Sequence, residues 1–206
     1  MAELDVQPKR SSPWWLWLLI AIIAVVILIF LFRGCNSKTT TVSTAYSTST
    51  TKAVAVTKPD WDAVDFNGAR TKDEDVTDTS IAVSGNDRYT IYTLGENILF
   101  ATDQNTLNSD AGDKLKQIVS SLNKRFKGAN IGVYGSTDST GTAGHNKALG
   151  AERAAAVKNW LVTTGGLDST LVSIHSLGEN KPVASNATAA GRQENRNVSI
   201  VAFPNK

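Results

Sequence analysis

The sequence predicts an α/β fold, helices packed on a mixed β-sheet, preceded by one transmembrane helix and a flexible linker. Three observations carry this. Strand-like and helix-like segments alternate after residue 86, the pattern of helices layered on a sheet. An unbroken apolar run occupies residues 13–32. Between the two lies a stretch rich in Ser and Thr, then in acid, with little to bury. The expected partition is therefore a cytoplasmic tail (1–12), a transmembrane helix (13–32), a linker (33–86) and a folded domain (87–206).

The run from Pro13 to Phe32 contains no ionisable residue. At ~1.5 Å per residue, twenty residues match a bilayer core of about 30 Å. Trp14, Trp15 and Trp17 cluster at its first turns, where amphipathic rings favour the interface. Lys9 and Arg10 flank that end against Arg33 at the other, which favours a cytoplasmic N-terminus. The expected location is thus a single-pass inner-membrane protein with its C-terminal domain in the periplasm. A cleaved signal peptide has a shorter apolar region and a small-residue cleavage site. Cys35, the sole cysteine, leaves two readings open: lipidation after Gly34, which would anchor the chain in the outer membrane, or an unpaired or intermolecularly bridged thiol. One cysteine provides neither a disulfide framework nor a Cys-based metal site.

Residues 36–55 are mostly Ser, Thr, Lys and small side chains, the composition of a tether. Asp60 to Asp78 carries seven carboxylates against Arg70 and Lys72, with Trp61, Val64 and Phe66 interleaved. It reads as a solvated linker or as an acidic segment docked on the domain or a partner.

Within the domain, Arg88–Leu94 and Ile98–Phe100 read as strands. Ala111–Phe126 is amphipathic, with Leu115, Ile118, Val119, Leu122 and Phe126 on one stripe. Ser109 or Asp110 is the expected cap, Lys124, Arg125 and Lys127 suit its C-terminal end, and Gly128 stops it. Ile131–Tyr134 is the next strand, and an Ala-rich helix follows over Asn146–Thr163, ending at Gly165-Gly166. Val172–Leu177 and Asn197–Phe203 complete the set. No internal repeat occurs.

The segment Gly135–Ala154 holds the candidate site. A loop rich in Gly, Ser and Thr presents Asp138, and the helix after it carries Asn146, Leu149, Gly150 and Arg153 at i, i+3, i+4, i+7, hence on one face. An Arg fork donates two parallel hydrogen bonds to a carboxylate, and an Asp accepts from an ammonium. The pair suits a ligand bearing both groups. Glycines at 135, 141 and 144 are expected to let the loop turn its N–H groups toward an anion. Asn146 is read as facing the ligand or tying the loop. On the residues alone, Asp138 could equally cap the loop and Arg153 be a solvated helix charge.

From about Tyr92 to Phe203 the chain resembles the OmpA-like peptidoglycan-binding domain. The resemblance rests on Gly135-Ser136-Thr137-Asp138, Gly141, Asn146, Leu149-Gly150, Arg153-Ala154 and Asn195-Arg196-Asn197-Val198, in that order. Ser136, Gly150 and Asn197 depart from the family's usual His, Ser and Arg. The resemblance implies an OmpA-like sandwich and non-covalent binding of the diaminopimelate of the peptidoglycan stem peptide. It assigns the ligand to Asp138 and Arg153, with Thr137, Asn146, Leu149 and Arg196 around them, and implies a role for Arg196 and Asn195 in bracing the loop or reaching the ligand.

Other function classes find little support. His145 and His175 are the only histidines, and no His-x-Glu, Gly-x-Ser-x-Gly or phosphate-cradling loop occurs, so neither a catalytic set nor a metal or other cofactor is expected. A formal net charge of +2 and an exported domain disfavour nucleic acid as a partner. The expected partners are peptidoglycan, the membrane through residues 13–32, and other envelope proteins. The alternative is a docking module in a stator-like membrane complex; the apolar run, however, lacks the carboxylate by which ion paths show themselves in sequence.

Overall fold

The computed structural model describes residues 59–101 and 105–205. The apolar run at 13–32, Cys35 and the Ser/Thr-rich stretch at 36–55 lie outside them. Among the described residues no helix is long and apolar enough to cross a membrane.

Among the described residues five strands and four helices follow one another as β1 (Ala82–Asn86), β2 (Tyr89–Gly95), α1 (Glu96–Leu99), α2 (Ala111–Arg125), β3 (Asn130–Ser136), α3 (Ala143–Thr163), β4 (Val172–Gly178), α4 (Ala189–Asn195) and β5 (Asn197–Phe203). The sheet order is β1-β2-β5-β3-β4. Only β3 and β4 run parallel, joined by α3 as a crossover; β1-β2, β2-β5 and β5-β3 are antiparallel. The mixed sheet expected from the alternation is present.

Period-two patterning divides the sheet into two faces. Tyr92, Leu94, Ile131, Val133, Val198, Ile200 and Ala202 pack with Leu115, Ile118 and Leu122 of α2 and Val157 and Leu161 of α3. The opposite face holds Tyr89, Ile91, Tyr134 and Val201, covered by Val64 with Trp61 and Phe66. The Trp61 ring meets Phe203 edge-on at 5.0 Å and lies 5.0 Å from His175, which stacks on Tyr134 at 4.5 Å.

The linker expected to extend to residue 86 is therefore structured over its last part. Thr71 N–H donates to Val83 O at 2.9 Å, and Ala82–Asn86 is the edge strand of the sheet. The acidic stretch is fastened to α2: Asp73 pairs with Arg125 at 2.8 Å, Asp75 with Lys124, and Asp78 with Lys114 at 2.5 Å. Gln117 Oε1 accepts from the N–H groups of Thr77 and Asp78. Helix α2 thus offers its basic flank to the one acidic segment of the chain.

Three local expectations also change. Ile98–Phe100 is not a strand: Glu96–Leu99 forms one helical turn, closed by Phe100 N–H donating to Glu96 O. Leu99 and Phe100 are both buried in the core under the sheet. At α2, Asp110 stands at the N-cap without a side-chain bond, and Asn108 Oδ1 accepts from Ala111 N–H at 2.9 Å instead. Helix α3 begins three residues early, at Ala143, where Thr142 accepts from His145 N–H.

Candidate functional site

The sequence places Gly135 where β3 passes under α3, and the packing there is tight. A Cβ on Gly135 would lie 1.9 Å from Gly150 O, and one on Gly150 would lie 2.7 Å from Gly135 O. Two glycines thus let the helix settle on the strand, and Gly150 has a packing reason to be there. Past Ser136 the strand ends in the loop carrying Asp138, and Gly141, at φ +94°, turns it into α3. Gly144, expected in the loop, lies in the first turn of α3.

The loop, α1, the first turns of α3 and the end of α4 enclose an open cleft of about 720 Å³. Thr137, Asp138, Asn146, Leu149, Arg153 and Arg196 all line it, so the six residues singled out in the sequence come together at one place. Asp138 and Arg153 do not touch. Asp138 Oδ2 accepts from Arg196 Nη1 at 2.5 Å and its Oδ1 from Thr140 N–H at 2.8 Å. Arg153 Nη2 donates to Glu96 Oε1, and Arg196 Nε lies 2.8 Å from Glu96 Oε2. The charges run Arg153, Glu96, Arg196, Asp138, alternating in sign.

Arg153 is 3% exposed, yet two of its nitrogens, Nε and Nη1, have no hydrogen-bond partner. Its guanidinium carbon lies 5.8 Å from the Phe100 ring centroid. Buried donors without partners are costly, and these belong to a cleft residue. Burial alone would raise the Asp138 pKa; the Thr140 and Arg196 hydrogen bonds outweigh it and hold the carboxyl below the usual carboxylate range. Asp138 is therefore ionised at neutral pH.

The remaining residues hold the loop. Asn146 Nδ2 donates to Asp138 O at 3.3 Å and to Glu179 Oε2 at 2.6 Å, the loop-tying role. Thr137 N–H donates to Gly178 O and its hydroxyl to Asp138 O. Asn195 is buried and does not line the cleft; its amide bonds Val183, Ala184 and Asn186, and Asn186 Oδ1 accepts from Ser139 N–H. Asn197 donates to Glu194 O at 2.9 Å, closing the end of α4. Glu96, Phe100 and Gln193 also line the cleft and were not singled out in the sequence. Among the described residues no group of His, Cys, Asp and Glu is arranged to hold a metal ion.

Comparison with known proteins gives this geometry a context. Residues 99–196 match the OmpA family. The probable lipoprotein YiaD of Escherichia coli is 30% identical over 141 residues, covering 68% of this chain and 63% of that protein. The peptidoglycan-associated lipoprotein of Mesorhizobium japonicum is 41% identical over 91 residues, 44% of this chain and 53% of that one. The chain thus spans less than two thirds of either relative. Among solved structures, the cell wall anchor of the T6SS from Pseudomonas aeruginosa is similar at TM-score 0.55 and 29% identity, over 61% of this chain and 88% of that one. The periplasmic domain of Helicobacter pylori MotB shares the fold at TM-score 0.58 and 24% identity, over 68% and 89%.

Proposed function

The chain carries an OmpA-like domain, and from that premise we propose that it is a non-catalytic anchor that binds peptidoglycan and ties an envelope membrane to the cell wall. In this reading Asp138 receives the ammonium and Arg153 the carboxylate at the zwitterionic end of diaminopimelate in the stem peptide. Thr137, Asn146, Leu149 and Arg196 shape the cleft. The membrane is the inner one, spanned by residues 13–32, with the domain in the periplasm; attachment to the outer membrane through lipidated Cys35 is the alternative.

The observation that carries the reading is the buried Arg153 with two unpartnered nitrogens in the same cleft as an ionised Asp138. Each charge-assisted hydrogen bond contributes roughly 1.5–3 kcal/mol net. Two such bonds fall short of the roughly 8 kcal/mol of micromolar binding. A repeating wall polymer compensates, because a tethered domain meets the epitope at high effective concentration.

The test is co-sedimentation of the full chain, in mild detergent, with purified sacculi, beside folded Asp138→Ala and Arg153→Ala variants. Pelleting of the native chain that each substitution abolishes is the expected result. A native chain left in the supernatant refutes wall binding and turns the reading toward a docking module for other envelope proteins.

A further inference from the structure

Resting on the wall-binding reading, we propose that Glu96 sets the charge selectivity of the cleft, making it accept a net-neutral zwitterion and refuse a ligand end that carries only an anion. Four charged side chains line the cleft: Arg153 and Arg196 against Glu96 and Asp138. Their charges cancel. Glu96 is the member that makes the sum zero, and it is held from both sides, by Arg153 Nη2 on Oε1 and by Arg196 Nε at 2.8 Å from Oε2. Its side chain is 12% exposed and that of Arg153 3%, so water screens that pair poorly.

A zwitterionic end can enter this set by exchange of partners. Its carboxylate takes Arg153 and its ammonium takes Asp138. Glu96 and Arg196, already adjacent, retain each other, so no buried charge is stranded. A ligand end bearing a carboxylate alone adds one negative charge and leaves Asp138 with Arg196 and Glu96 without a full partner. Stranding a buried charge is far more costly than exchanging its partner. Glu96 Oε2 makes no aligned hydrogen bond in the present arrangement, which leaves it free to turn fully onto Arg196.

Glu96→Gln gives the set one net positive charge. A side chain that only propped Arg153 in place would, when altered, weaken all ligands alike; a charge-selectivity residue changes their ratio. Titration calorimetry on the full chain in mild detergent separates the two. The probes are three muramyl tripeptides: one ending in meso-diaminopimelate, the same peptide with its side-chain amine acetylated, and one ending in lysine. The native chain is expected to favour the first. Glu96→Gln is expected to reduce its preference over the acetylated peptide about tenfold, or about 1.4 kcal/mol, and to weaken the lysine peptide further, with Glu96→Asp restoring the native order. A preference that Glu96→Gln leaves unchanged, or equal weakening of all three, overturns the assignment alone. A native chain that binds none of the peptides overturns the assignment, and one that also fails to pellet with sacculi overturns the wall-binding reading with it.

Discussion

Replacing Asp73 by Ala tests whether residues 59–81 belong to the folded unit. The Asp73 side chain is fully shielded, accepts from Tyr92 OH at 2.9 Å and Ser121 OH at 2.6 Å, and pairs with Arg125 Nη1 at 2.8 Å. Hydrogen bonds to a charged group contribute about 1.5–3 kcal/mol each. Tyr92 and Ser121 keep each other at 2.7 Å after the change, and Arg125 is 46% exposed, so its share is discounted. The expected cost is about 3 kcal/mol, at the lower edge of the ~3–5 kcal/mol for breaking a buried pair. At roughly 2–4 °C per kcal/mol for a chain of this size, the melting temperature should fall by about 6–12 °C. Thermal unfolding followed by circular dichroism measures it, and limited proteolysis should show new cleavage between residues 60 and 80. A fall under ~2 °C with unchanged proteolysis would refute the docked segment. Burial raises the Asp73 pKa, but the bonds from Ser121, Asp75 N–H, Tyr92 and Arg125 outweigh it, so the folded pKa lies below the unfolded value. Its stabilisation is therefore complete above the unfolded pKa and is lost as pH falls through the folded one.

Gly135→Ala should destabilise by more than about 3 kcal/mol, since its Cβ would meet backbone at 1.9 Å that no rotamer can move; denaturant titration reads this. Burial lowers the His175 pKa below 6.5, with Asp62 opposing. The unfolded chain then binds the extra proton first, so stability falls as pH drops below about 6.5 and levels off below the folded pKa; His175→Gln should flatten that part of the profile. Trp61→Ala, which uncovers Tyr134 and Phe203, should lower the melting temperature and expose the sheet face to a hydrophobic dye.

Long periodic elements were legible in the sequence because their cause is local. The apolar stripe of α2, the strands β3, β4 and β5, and the face of α3 that bears Asn146, Leu149 and Arg153 all follow from spacing. Strand β1 was not legible. Ala82-Val-Ser-Gly-Asn is short and largely polar, as an edge strand can be, and its pairing partner is named by geometry alone. The acidic stretch had legible aromatic anchors, but its ion pairs join residues 36 to 52 positions apart. The same holds at the cleft. Asp138 and Arg153 announce themselves within one motif, whereas Glu96 is 57 positions from Arg153 and falls between the two segments that read as strand.

The sheet order has a consequence for how the chain is made. β5 is the last of the described strands in sequence, yet it lies in the middle of the sheet and is the strand that joins the β1-β2 hairpin to the β3-α3-β4 unit. Without β5 these two pieces share no strand partner, although α2 packs against both. Adding β5 closes the sheet. It brings Arg196, at the threshold of β5, against Asp138 and Glu96 in the same step that completes the core. Without that strand and the residue before it, the loop and the helix of the cleft would lack the cation that ties their two carboxylates together.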